Sequence, residues 1–115
     1  MKQYNNLMEI LKDKDNYPSA GRVFIERNKK NDLKNSCFWI LTSKEIKEQD
    51  FIEDEHNRRI PISLKDFNVK SFLDVQTFQD IIILKLEKNP NLSLDQVDIF
   101  LEAIMYYLEH DDFLE

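Results

Sequence analysis

The fold is decided by the segment CFWILT, which spans Cys37–Thr42 and consists almost entirely of apolar and aromatic residues. A run of this length and composition is typical of a strand that is covered on both faces. Upstream, Arg22–Arg27 reads RVFIER, so Val23 and Ile25 point to one side of an extended segment and their neighbours to the other. The polar segment 28–35 between these two runs predicts an antiparallel hairpin with a long loop.

The N-terminal residues have helical periodicity. Tyr4, Leu7, Met8 and Leu11 recur at three- and four-residue spacing, which predicts a short amphipathic helix over the first dozen residues. Pro18 limits this helix, because the residue before a proline is disfavoured in helical conformation.

Two further helices are predicted in the C-terminal third. Asp74 is a suitable N-cap for a helix that extends to about residue 88. Its apolar stripe consists of Val75, Phe78, Ile82 and Leu86. Ser93 and Gln96 have the spacing of a capping box, which predicts a final helix from about Leu94 to Glu109.

The middle third, residues 43–68, has the weakest pattern. It is predicted to contribute one or two short edge strands, since Pro61 cannot donate a ladder hydrogen bond, and 71–73 is predicted to form a last short strand. The chain is therefore expected to be a single α+β domain, residues 1–115. Its small antiparallel sheet has three or four strands, with an N-terminal helix and two C-terminal helices packed against it.

The negative charge is concentrated at one end of the sequence. Up to Pro90 there are 16 Lys and Arg against 15 Asp and Glu, a net charge of +1. From Asn91 onward there are seven Asp and Glu and no Lys or Arg, a net charge of −7. Direct binding of nucleic acid is disfavoured on such a surface, because phosphate binding depends on clustered cations.

On a helical wheel, the final helix separates into a buried and an exposed side. The predicted buried stripe comprises Val97, Phe100, Leu101, Ile104, Tyr107 and Leu108. The exposed line comprises Asp95, Asp98, Glu102 and Glu109, with Ile99 and Tyr106 beside it. No lysine is expected to relieve the repulsion among these carboxylates.

This combination of charge and apolar residues is typical of a surface that meets a basic protein. Charge would steer the encounter, while Tyr106 or Ile99 would supply buried contact. The simpler interpretation is a solvated helix face that favours solubility.

No catalytic or metal-binding pattern is recognised, so the chain is predicted not to be an enzyme and to need no cofactor or metal. His56 and His110 lie in acidic runs without the further ligands that zinc requires. Cys37 lies among apolar residues, which favours a buried structural thiol over a nucleophile and excludes an intrachain disulfide. A small enzyme that uses His56 or His110 is the least favoured hypothesis. No apolar run is long enough to cross a membrane, so a soluble, cytoplasmic protein is expected.

Three stretches carry a resemblance to a known family. They are NYPSAGRVFI at 16–25, LDVQTFQD at 73–80 and YYLEHDDF at 106–113. Together they resemble small bacterial immunity proteins that are encoded beside contact-dependent growth-inhibition and related polymorphic toxins.

The resemblance implies a cytoplasmic protein, monomeric alone, that binds and blocks the C-terminal toxin domain of its own strain as a heterodimer. Many such toxins are basic nucleases, so an acidic inhibitor could occupy the surface that receives substrate phosphate. The resemblance assigns no binding residue. The alternative hypothesis is an acidic adaptor or regulatory subunit that binds some other basic protein.

Overall fold

The computed structural model describes residues 1–27, 32–53 and 59–113. The strands are β1 (Lys2–Tyr4), β2 (Gly21–Glu26), β3 (Phe38–Thr42), β4 (Phe51–Glu53), β5 (Arg59–Pro61) and β6 (Val69–Asp74). The helices are α1 (Leu7–Lys12), α2 (Ser43–Lys47), α3 (Val75–Lys88) and α4 (Val97–His110). Single 3₁₀ turns occupy Lys14–Asn16 and Ile62–Leu64.

A four-stranded antiparallel sheet in the order β1-β3-β2-β6 forms the centre of the molecule. The predicted hairpin of β2 and β3 is confirmed, with Val23 opposite Ile40. At its end Gly21 lies opposite Thr42, and a Cβ atom on Gly21 would lie 2.3 Å from the carbonyl oxygen of Leu41. The close approach of these two backbones therefore requires glycine.

The sheet is covered on both faces, as the apolar run of β3 predicted. On one face α1, α3 and α4 enclose the first core, which includes Phe38, Phe78 and Phe100 at 0% exposure. On the other face Trp39, Leu41 and their neighbours form the second core. Alternate residues of β2 and β3 thus belong to different cores.

The second core is covered by the middle third of the chain. Two short strands are present there, as predicted, but β4 and β5 pair with each other in a separate ribbon and do not extend the main sheet. Helix α2 was not predicted, although its capping box is visible in the sequence: the Thr42 hydroxyl accepts from the Glu45 N–H, and the Glu45 carboxylate accepts from the Thr42 N–H.

The N-terminal helix is shorter than predicted. Tyr4 belongs to β1, which pairs with β3, and Asn6 caps α1 by accepting from the Glu9 N–H. Met8 was assigned to the buried side and is 37% exposed. The three- and four-residue spacing predicted a single helix, whereas Tyr4 contacts the first core from a strand and Leu7 and Leu11 contact it from a helix.

The C-terminal helices are confirmed, with one change of boundary. Asp74 accepts from the Gln76 N–H and caps α3, as predicted. Helix α4 begins at Val97 and not near Leu94. The Ser93 N–H does donate to Gln96 Oε1, at 2.9 Å, but this bond closes a turn that precedes the helix.

Candidate functional site

The exposed side of α4 carries three carboxylates. With Val97 set at zero and about 100° per residue, Asp98, Glu102 and Glu109 fall between about 100° and 140°. Asp98 and Glu109 are 78% and 77% exposed, and Glu102 is exposed as well. We call these three residues the acidic face of α4.

Asp95 lies outside this face, because it belongs to the turn before α4. Its side chain is 65% exposed, and its Oδ1 lies 2.7 Å from Lys12 Nζ of α1. The hydrogen bond and the charge of Lys12 hold the pKa of the Asp95 carboxyl below its usual value.

The prediction that no lysine offsets the charge of the four carboxylates is wrong for Asp95 and Asp98. Lys12 pairs with Asp95, and Lys34, which precedes β3, lies 3.1 Å from Asp98 Oδ1. Both lysines come from parts of the chain distant in sequence, so the wheel of a single helix cannot reveal them. These pairs are exposed and therefore contribute little to stability.

The remaining carboxylates keep their charge unmatched. Within 1–27, 32–53 and 59–113, no lysine or arginine forms an ion pair with Glu102, Glu109, Asp111 or Asp112. The nearest basic group to Glu109 is the imidazole of His110, at 3.8 Å. The unmatched charge therefore lies along α4 beyond its first turn and in the residues just after it.

The two apolar residues predicted beside the acids are partly buried. Ile99 lines a hollow of about 360 Å³ together with Met8, Lys34 and Asp95–Asp98. The ring of Tyr106 packs against that of His110, with 4.3 Å between ring centroids. Both residues lie on one side of the acidic face, at about 180° to 200° on the same wheel.

Two exposed apolar residues lie on the opposite side of the acidic face. Leu108 was assigned to the buried stripe and is 42% exposed, while Met105 is 48% exposed and had no predicted role. Ala103 is buried in their place, at 3% exposure. Ala103 faces the first core, and the middle of the buried side of α4 therefore lies closer to Phe100 than the helical wheel predicted.

Of the groups considered for catalysis, the structure describes Cys37 and His110. Cys37 is partly buried, and burial followed by the charge of Glu26 raises the pKa of its thiol, which disfavours the nucleophilic thiolate. No group of His, Cys, Asp and Glu suited to a metal ion occurs among the residues that the structure describes. His56 lies outside those residues.

A family model described as a domain of unknown function, DUF7716, matches residues 4–115. The chain belongs to the DUF7716 family. No curated protein and no solved structure matches it. The DUF7716 match includes the four helices of the described residues and therefore both the acidic face and the hollow beside it.

The longest helices of this DUF7716 chain, α3 and α4, have 14 residues each. In the part of the chain that is described, no helix combines the length and apolar composition needed to cross a bilayer.

Proposed function

We propose that this protein is an immunity protein that binds a cognate toxin domain, a basic nuclease, and neutralises it by covering its active site. It acts by binding and not by catalysis, in the cytoplasm, as a monomer that forms a heterodimer with the toxin. The observation that carries the proposal is the unmatched charge of Glu102, Glu109, Asp111 and Asp112 on and just after α4.

A nuclease must expose the surface on which the phosphates of its substrate bind. An active site that receives a phosphate backbone is lined by cations, which attract any dense group of carboxylates. Glu102 and Glu109 lie about two turns apart on one side of a rigid helix and so present charge at fixed spacing. Such a surface steers the encounter with a basic partner and competes with substrate phosphate for the same cations.

Asp95 and Asp98 have a secondary part in this proposal. A partner that binds them must displace Lys12 from Asp95 and Lys34 from Asp98. Exposed ion pairs contribute little free energy, so breaking these two pairs costs little. Ile99 and Tyr106 lie at the margin of the same surface, partly buried but accessible.

The resemblance of three sequence stretches to immunity proteins supports the choice of a toxin as the partner. An adaptor for another basic protein would use the same carboxylates. The position of the gene separates the two proposals, because an immunity gene is expected directly downstream of a large toxin gene.

A charge-reversal experiment tests the surface. The double variant Glu102→Lys, Glu109→Lys is expected to slow association with the toxin domain encoded by the adjacent gene by about tenfold or more and to weaken its salt dependence. The matched control is Asp80→Lys, Glu87→Lys, which makes the same change of charge at exposed positions of α3. Association rates at several salt concentrations and protection of cells from the toxin are the measurements.

The control should associate nearly as fast as the unchanged protein, and both variants should keep its melting temperature within a few degrees. Full protection by the α4 variant would show that the proposed surface is wrong. An equal loss in both variants would show that only total charge matters and that no particular face binds.

A further inference from the structure

The side of α4 next to the acidic face carries an apolar strip that we define as Leu101, Met105 and Leu108. Met105 and Leu108 are 48% and 42% exposed, the two most exposed large apolar side chains of the helix. Leu101 is partly buried and packs against the first core, so it joins the strip to the interior. The spacing of four and three residues places all three along one line, about 10 Å long.

We propose that this strip receives a basic amphipathic helix of the partner protein, whose apolar side packs on Leu101, Met105 and Leu108 while its lysines or arginines face Glu102 and Glu109. This inference rests on the proposed function and specifies the partner's structure at the same surface. It also places the apolar centre of the contact on the strip and not on Ile99 and Tyr106.

The geometry favours a partner with one apolar and one basic side. The strip occupies about 20° to 80° on the wheel and the acidic face about 100° to 140°, so the two run side by side along the helix axis. From Asp98 to Glu109 the acidic face is about 16 Å long, which three turns of a partner helix would cover.

Other occupants fit this surface less well. A second copy of the chain would bring Glu102 and Glu109 close to their equivalents, and like charges oppose that contact. An anionic lipid surface would be repelled in the same way. An extended peptide gains affinity by pairing its backbone with a sheet edge, whereas the backbone groups within α4 are already bonded inside the helix.

The test uses the full chain and two synthetic peptides of the same composition, Leu and Lys only, with 18 residues each. One peptide has the leucines at helical spacing, and the other alternates Leu and Lys so that it favours an extended strand. We expect the helical peptide to bind about tenfold more tightly by calorimetry, because only it presents a continuous apolar side to the strip.

The variant Met105→Ser, Leu108→Ser should abolish the preference for the helical peptide. Ile83→Ser is the matched control, since Ile83 is 37% exposed on α3 and lies outside the strip, and it should keep the preference. All of these side chains are exposed, so helical content measured by circular dichroism should be unchanged.

Three results would overturn the inference: equal affinity for both peptides, an equal loss in Ile83→Ser, or a purified protein whose dimer dissociates in the strip variant. Each would leave the proposed function standing, since that depends on whether the unchanged protein protects cells from the toxin. Conversely, a lack of protection by the unchanged protein would reject the proposed function even where the helical peptide is preferred.

Discussion

Asp13, at the C-terminal end of α1, receives three hydrogen bonds through its side chain. The Tyr4 hydroxyl donates to its Oδ2 at 2.6 Å, the Asn16 amide to Oδ1 at 2.7 Å, and Lys2 Nζ to Oδ2 at 3.2 Å. The bond from Tyr4, followed by that from Asn16, lowers the pKa of the Asp13 carboxyl. One carboxylate thus ties β1 to the end of α1.

This lowered pKa predicts a pH dependence of stability. A carboxyl whose pKa is lower in the folded state stabilises the protein above about pH 4, and this contribution is lost as the pH falls through the folded-state value. Asp13→Asn should therefore be less stable than the unchanged protein at pH 7 and should lose less stability between pH 5 and pH 2.

Urea denaturation at a series of pH values measures this effect. Tyr4→Phe removes the main cause of the shift and should reduce the same slope. A slope identical in all three proteins would contradict the role given to Asp13.

Single residues with local partners are the part of the molecule that the sequence predicts best. Asp74 could be recognised as the cap of α3 because the residues that immediately follow it determine that role. The apolar run that contains Trp39, which is 2% exposed, could be recognised as a covered strand from its composition. The pairing of Lys12 with Asp95 could not, since α1 and the turn before α4 meet only in the folded chain.

At the scale of elements, α4 ends on a residue in an unusual conformation. Asp111 has φ 54° and ψ 30°, and its N–H donates to the Tyr107 carbonyl at 2.8 Å. It is the only one of the described residues that has a positive φ angle. An L-residue with a Cβ atom pays a conformational cost there, and a carboxylate is also unfavourable at the negative end of a helix.

Asp111→Gly should therefore stabilise the protein by about 0.5–1 kcal/mol. Asp112→Gly is the matched control, because it removes the same charge at a position without positive φ and adds freedom to the unfolded chain. Thermal unfolding followed by circular dichroism distinguishes them. A stabilisation of equal size in both variants would attribute the effect to charge alone.

Elements were predictable where one periodicity ran long enough. The 14 residues of α3 fill four turns with a clear stripe, whereas β1, β4 and β5 have three residues each and show no period of their own. Their structure depends on pairing with other strands. In α4, Ala103 is buried and Leu108 is exposed, which differs from the side predicted to be buried. That orientation depends on how α4 packs against the core, which a helical wheel does not take into account.

At the scale of the whole molecule, the two cores share the same two central strands. Phe24 and Trp39 of β2 and β3 face the second core, while Val23 and Phe38 face the first. Neither core can lose its strands without exposing the other, so the domain should unfold as one unit.

This cooperativity can be measured with two probes. Trp39, the single tryptophan, reports on the second core, and the circular dichroism of the helices reports largely on the first. Leu64→Ala in the second core should cost about 2–5 kcal/mol and Phe100→Ala in the first about 3–5 kcal/mol. In both variants the fluorescence and dichroism transitions should coincide, and separate midpoints would show that the cores unfold independently.

The fold class followed from the order and type of the elements, while the surface was predictable only in part. Charge counted along the sequence identified α4, and three of the four carboxylates chosen lie on its exposed side. The two ion pairs and the apolar strip depend on how α4 is seated against the rest of the chain.

The pairing of β6 with β2 is irregular at one point: Val23 lies opposite Leu73, but Phe24 lies opposite Ser71, so Phe72 is an extra residue in β6. Through this bulge Phe72 and Leu73, although adjacent, both contact the first core. The alternation of side chains between the two faces of the sheet is therefore shifted by one residue in the part of β6 that leads into α3. Removing one residue here would leave a regular strand, whereas the same deletion within β3 would exchange the residues of its two faces.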